Sequence, residues 1–81
     1  MDRRQLELIL ESEGFPADSY AMHGSDRNDS FNIEQQGHRF LVFYTERGTR
    51  SPIEEFQSEA AACDFFLDLM RRNVRKEKDS R

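Results

Sequence analysis

The sequence predicts a two-layer α+β domain: an antiparallel sheet of three to four strands, with an N-terminal and a C-terminal helix packed on one face, in the order α-β-β-β-(β)-α. Three observations predict it. A helical apolar period over residues 2–14 ends at Gly14-Phe15-Pro16. A hairpin signal, Gln36-Gly37, joins an alternating run to a nearly continuous apolar run, Phe40-Leu41-Val42-Phe43-Tyr44. A second helical period over residues 59–74 follows a good N-cap, Ser58.

Each element has its own local reason. In the first helix Asp2 is the N-cap, Leu6, Ile9, Leu10 and Glu13 recur at helical spacing, and Leu8 widens the apolar face. Gly14 is the natural stop, and Phe15-Pro16 prevents continuation. Residues 19–23 alternate weakly, with Tyr20 and Met22 on one side, and suit a short first strand. Residues 23–30 form a polar loop. Phe31 and Ile33 alternate with Ser30, Asn32 and Glu34, the pattern of a half-buried strand. The run His38–Thr45 is apolar on both faces in its middle, which places it at the centre of the sheet. Glu46-Arg47-Gly48 breaks that strand. Thr49–Pro52 continues as a loop or an edge strand, because proline is tolerated only at an edge or a strand start. Ile53 and Phe56 are expected to return to the core. In the second helix Ala62, Phe66, Leu69 and Asn73 form one row. The expected core is Leu6, Ile9, Leu10, Phe31, Ile33, Phe40, Val42, Phe56, Ala62, Phe66 and Leu69. Residues 1–74 are expected to form one domain, and 75–81 a flexible basic tail.

Composition narrows the function. A chain of 81 residues is at the small end of what buries a self-sufficient core, covering roughly 60% of its unfolded surface. Seven Phe and two Tyr supply most of the bulk. No apolar run approaches the roughly 20 residues a membrane span needs. A single cysteine, Cys63, makes no internal disulfide, and the N-terminus lacks a signal-peptide core, so a cytoplasmic location is expected. The net charge of −4 conceals an asymmetry. Residues 71–81 carry six basic and two acidic side chains, and the remaining 70 carry six basic and fourteen acidic ones. An acidic body disfavours nucleic acid as a partner of the folded core and suits a basic protein.

Chemistry-bearing constellations are sparse. His23, His38 and Cys63 have no metal-ligand spacing, so no metal and no cofactor is expected. Cys63 lies in an apolar helical context beside Asp64, where a cysteine is a small buried hydrophobe rather than a thiolate nucleophile. The pairs Asp26 with Asp29 and Glu54 with Glu55 sit in polar contexts that keep carboxylates solvated. No enzymatic activity is expected. The candidate partner-binding residues are Asp26, Asp29, Glu46, Arg47, Glu54 and Glu55, acidic groups and one arginine flanking the strand breaks. Arg47 reads in two ways: as a contact to a partner carboxylate, or as a local ion pair with Glu46 or Glu54 that pins the turn.

One stretch resembles a known group. Tyr44-Thr45-Glu46-Arg47-Gly48 is followed by Phe56-Gln57-Ser58-Glu59-Ala60-Ala61-Ala62-Cys63-Asp64-Phe65-Phe66-Leu67. Together with Asp18-Ser19-Tyr20 upstream, it resembles small bacterial immunity-type proteins encoded beside polymorphic toxins of interbacterial competition. In those proteins an aromatic strand closes in Tyr-(Ser/Thr)-Glu-Arg-Gly before a Ser/Thr-Glu-x-x-Ala-Cys helix. The likeness covers about residues 4–70 and is specific over 44–67. Two extra alanines before Cys63, and Phe43 where a smaller residue is common, depart from the pattern. The resemblance implies a binding protein that occludes the active site of a cognate toxin with a basic cleft. The alternatives are a small regulatory or adaptor protein acting through protein contacts or through its basic tail on nucleic acid, and a homodimer formed through an exposed strand edge.

Overall fold

The computed structural model describes residues 1–24 and 28–76; Asp26 and the segment 77–81 lie outside the described residues. Helix α1 spans Arg3–Ser12 and helix α2 spans Glu59–Asn73. Between them run strands β1 (Tyr20–Ala21), β2 (Ser30–Gln36), β3 (Arg39–Glu46) and β4 (Thr49–Phe56), in the spatial order β1-β2-β3-β4. The fold is α+β as expected. The sheet is mixed rather than wholly antiparallel, because the two-residue β1 lies parallel to β2. The β2–β3 and β3–β4 pairs are antiparallel.

Local chemistry accounts for the helix ends. Asp2 and Gln5 form a reciprocal capping box: the Gln5 N–H donates to Asp2 Oδ1 at 2.9 Å, and the Asp2 N–H donates to Gln5 Oε1 at 3.0 Å. At the other end Gly14 takes φ 86°, its N–H donates to the Glu11 carbonyl, and the Phe15 N–H donates to the Leu10 carbonyl at 3.2 Å. That is a Schellman stop. It turns Phe15 back onto Leu10, and both are core residues. Ser58 Oγ caps α2 by accepting from the Ala61 N–H at 3.2 Å.

The core lies between the two helices and one face of the sheet. Leu6, Leu10, Ile33, Ala62, Cys63, Phe66 and Met70 are fully buried there, with Val42 and Phe40 beneath them. Of the expected core, Ile9, Phe31 and Phe56 are partly buried at its margin. Phe56 stacks on Phe65 at 5.2 Å, and Phe31 on Tyr44 at 4.7 Å. Phe15, Tyr20, Met22, Leu67 and Leu69 complete the core. Ile53 does not join it and is 38% exposed. The register slips between Val42 and Phe43, leaving Ile53 as an extra residue of a bulge on β4. Asn73 also faces water, its amide donating to the Leu69 carbonyl.

Ion pairs clamp both ends of α1 to α2. Arg3 donates from its backbone N–H and its Nε to Glu59 Oε2, at 3.0 and 3.1 Å. The same guanidinium reaches the Met22 carbonyl and Gln35 Oε1 and lies over the Phe40 ring. At the C-terminal end Glu13 accepts from Arg71 and from Lys76, and Lys76 lies over Phe15. Lys76, three residues beyond α2, therefore touches the body of the domain.

Candidate functional site at the β3–β4 hairpin

The sheet register assembles three of the sequence candidates at one end of the sheet. Glu46 pairs with Thr49 across a two-residue loop, Arg47-Gly48. Both loop residues have positive φ, 53° and 77°, the pattern of a type I′ turn, whose twist matches the flanking strands. Asp29, at the entry to β2, is brought beside the end of β3 by its N–H, which donates to the Thr45 carbonyl at 2.7 Å. Its Oδ1 accepts from the Tyr44 hydroxyl at 3.4 Å. Asn28 Oδ1 accepts from the Gly48 N–H at 3.2 Å, tying the loop before β2 to the hairpin turn.

The electrostatics report the same cluster. The Tyr44 hydroxyl titrates above its ordinary value, first because of burial and then because the Asp29 and Glu46 carboxylates disfavour a phenolate. The site rests on a firm floor: Ser30, Asn32 and Thr45 are wholly buried, and Asn32 Nδ2 donates to Thr45 Oγ1 at 2.9 Å and to the Ser30 carbonyl at 3.1 Å. Asn32 Oδ1 is buried without a hydrogen-bond partner.

The other candidates fall elsewhere. Glu54 and Glu55 lie five and six residues beyond Thr49 on β4, roughly 15–20 Å from the turn at the rise of a strand. Glu55 pairs with Arg39 at 3.0 Å, and Glu54 Oε1 accepts from the Glu55 N–H at 3.4 Å. Asp26 lies outside the described residues. The turn-pinning ion pair expected of Arg47 does not form. The register carries Glu54 to the far part of β4, and among the described residues the exposed Arg47 guanidinium makes no hydrogen bond or ion pair.

The sheet face away from the helices holds contacts that composition did not reveal. Arg50 lies over the Phe43 ring at 4.6 Å and donates to Glu34 Oε1 at 3.2 Å, spanning from β4 to β2. Beside it a shallow groove of about 400 Å³ is floored by Leu41, Phe43 and Pro52. The outer edge of β4 is poorly suited to pairing with another strand. It carries Pro52, the bulge at Ile53 and the Glu54 carboxylate on the Glu55 N–H. Tyr44 stood in the sequence only as part of the motif, and Asn28 and Arg50 did not stand out at all; the register, which pairs Phe31 with Tyr44 and Thr45 with Arg50, and the Asn28–Gly48 hydrogen bond bring them to this end.

Covalent chemistry has little support at Cys63. Its thiol is fully buried and pushed up to about 11, first by burial and then by Glu59, so it stays protonated at neutral pH. Among the described residues no three His, Cys, Asp or Glu side chains gather as metal ligands, and no helix is long and apolar enough to cross a membrane. Comparison with known protein families, characterised proteins and solved structures finds no match to this chain.

Proposed function

We propose that this chain is an immunity protein that binds a cognate interbacterial toxin in the cytoplasm and covers its active-site entrance. The observation that supports the reading is the gathering of Asp29, Tyr44 and Glu46 at one rigid end of the sheet. An acidic rim around an aromatic suits a cleft made basic for a phosphate-bearing substrate. A tyrosine supplies contact area at low entropic cost. The motif that carries the resemblance to immunity-type proteins, Tyr44-Thr45-Glu46-Arg47-Gly48, is the strand end and turn that form this site. Inhibition by occlusion needs a preformed surface that associates fast and releases slowly; complementary fields speed the first, and desolvated central contacts slow the second.

The reading predicts a toxin domain encoded directly upstream, and the test is calorimetry with that domain. Tight one-to-one binding is expected. Glu46→Lys should weaken it while leaving the unfolding transition in place. Asp29→Lys should chiefly slow association, and that difference should shrink at high salt. Absence of binding to that domain, or full affinity in an Asp29→Lys/Glu46→Lys double variant, would refute the reading.

A further inference from the structure

We propose that Arg47 is held at the hairpin tip, against the preference of the turn, in order to clasp a carboxylate on the protein partner. The inference rests on the inhibitor reading for the partner and adds the chemistry of the partner's central contact.

The first loop position of a type I′ turn demands φ > 0, and asparagine, aspartate or glycine meets that demand readily. Arginine does not, because its Cβ crowds the backbone there and its side chain has no short polar group to bond locally. Arg47 nevertheless sits at φ 53°. Gly48 beside it already supplies the conformational freedom of the second position. The strain is not offset by a local contact: among the described residues the Arg47 guanidinium has no hydrogen bond, ion pair or aromatic partner, unlike Arg3, Arg39, Arg50, Arg71 and Arg72, which all bond carboxylates. Strain maintained at an exposed tip points to a role outside the chain.

The tip is also stiff. Its two strands are paired from Phe40 to Glu46, and the Gly48 N–H is fixed on Asn28 Oδ1. A guanidinium on such a base is preorganised for a planar, two-pronged acceptor. The neighbours select which acceptor. Glu46 adjoins Arg47 in sequence, and Asp29 is drawn to the same end of the sheet. A nucleic-acid backbone brought to Arg47 would run its successive phosphates past both carboxylates. A lone carboxylate set among basic groups meets Arg47 and satisfies Glu46 and Asp29 together. The proposed occupant is therefore a recessed carboxylate within the basic cleft of the partner protein.

Arg47→Asn separates fold from binding. The turn is relieved, so the melting temperature of the isolated protein should rise by about 4–8 °C. Affinity for the upstream-encoded toxin domain should fall by about 10- to 150-fold, the range for charge-assisted hydrogen bonds. Arg47→Lys keeps the strain and the charge but loses the fork, so its melting temperature should hold while affinity drops by an intermediate factor. An Arg47→Asn variant that melts no higher than the parent overturns the proposal. So does one that binds the toxin domain undiminished, and that result leaves the inhibitor reading standing. Failure of the parent protein to bind the toxin domain overturns both. Binding of a fluorescein-labelled 20-nucleotide RNA or DNA by the parent, abolished in Arg47→Asn, would identify a phosphate occupant and also overturn the proposal.

Discussion

Glu13 offers a direct test of how the helix layer is held. Its carboxylate accepts from Arg71 and from Lys76 at 3.2 Å, with its own side chain 19% exposed. The Arg71 hydrogen bond, with a smaller one from Lys76, outweighs desolvation and holds the carboxyl at about 2, below its ordinary 4.5. A depression of that size corresponds to at most about 3 kcal/mol. The cations, however, are 50% and 43% exposed, and hydrated partners at a screened surface reduce the working figure to about 1 kcal/mol. Glu13→Gln keeps the shape and removes the charge. At pH 7 it should lower stability by about 1 kcal/mol and the melting temperature by about 4–8 °C. The sign with pH follows from the lowered value. The stabilisation is complete above 4.5, the ordinary value, and disappears as pH falls toward about 2. Urea denaturation of parent and variant at pH 7, 4.5, 3 and 2 measures the gap, and shifts of the other carboxylates cancel in the difference. A gap that stays constant from pH 7 to pH 2, or one below about 0.3 kcal/mol at pH 7, would show that Glu13 does not clamp the helices through its charge.

Three further outcomes are expected. Phe66, fully buried between the helices and the sheet, should cost about 3–5 kcal/mol on replacement by Ala, and a loss under about 1 kcal/mol in denaturant unfolding would remove it from the core. Asn32→Asp places an acid where one amide oxygen already lacks a partner, so it should destabilise by about 3 kcal/mol or more at pH 7. Burial raises such an acid's folded value, so urea curves should show that loss recovering as pH falls through the carboxylate range, and a pH-independent loss would count against it. Cys63 should resist iodoacetamide at pH 8 in the native protein and react rapidly in urea; native alkylation at the unfolded rate would place the thiol at the surface.

The elements were legible because each carries a local signal. Asp2, Gly14 and Ser58 mark helix ends through their own hydrogen bonds, and the alternation of Phe31 and Ile33 marks β2 without reference to anything distant. What escaped depends on register or on distance. Ile53 read as core because its apolar side chain follows the period, but the slip opposite Val42 and Phe43 sets it outside that period. His38 read as the opening of a strand and instead occupies the turn with Gly37, so β3 begins at Arg39. The parallel pairing of Tyr20 with Phe31 has no hairpin to announce it. Of the six candidate contacts, Asp29, Glu46 and Arg47 converge because Ser30 pairs with Thr45, whereas the adjacent acids Glu54 and Glu55 looked equivalent in sequence and lie far along β4.

The two clamps on α1 also bear on how the chain is made. Arg3 and Glu13 are synthesised before their partners Glu59 and Arg71, which follow 56 and 58 residues later. At about 5–20 residues per second the first helix waits roughly 3–12 s for the residues that lock it. During that interval the Leu6 and Leu10 face is without its cover from α2. The nascent domain therefore stays open to chaperones until α2 emerges, and its core closes only once that helix can dock.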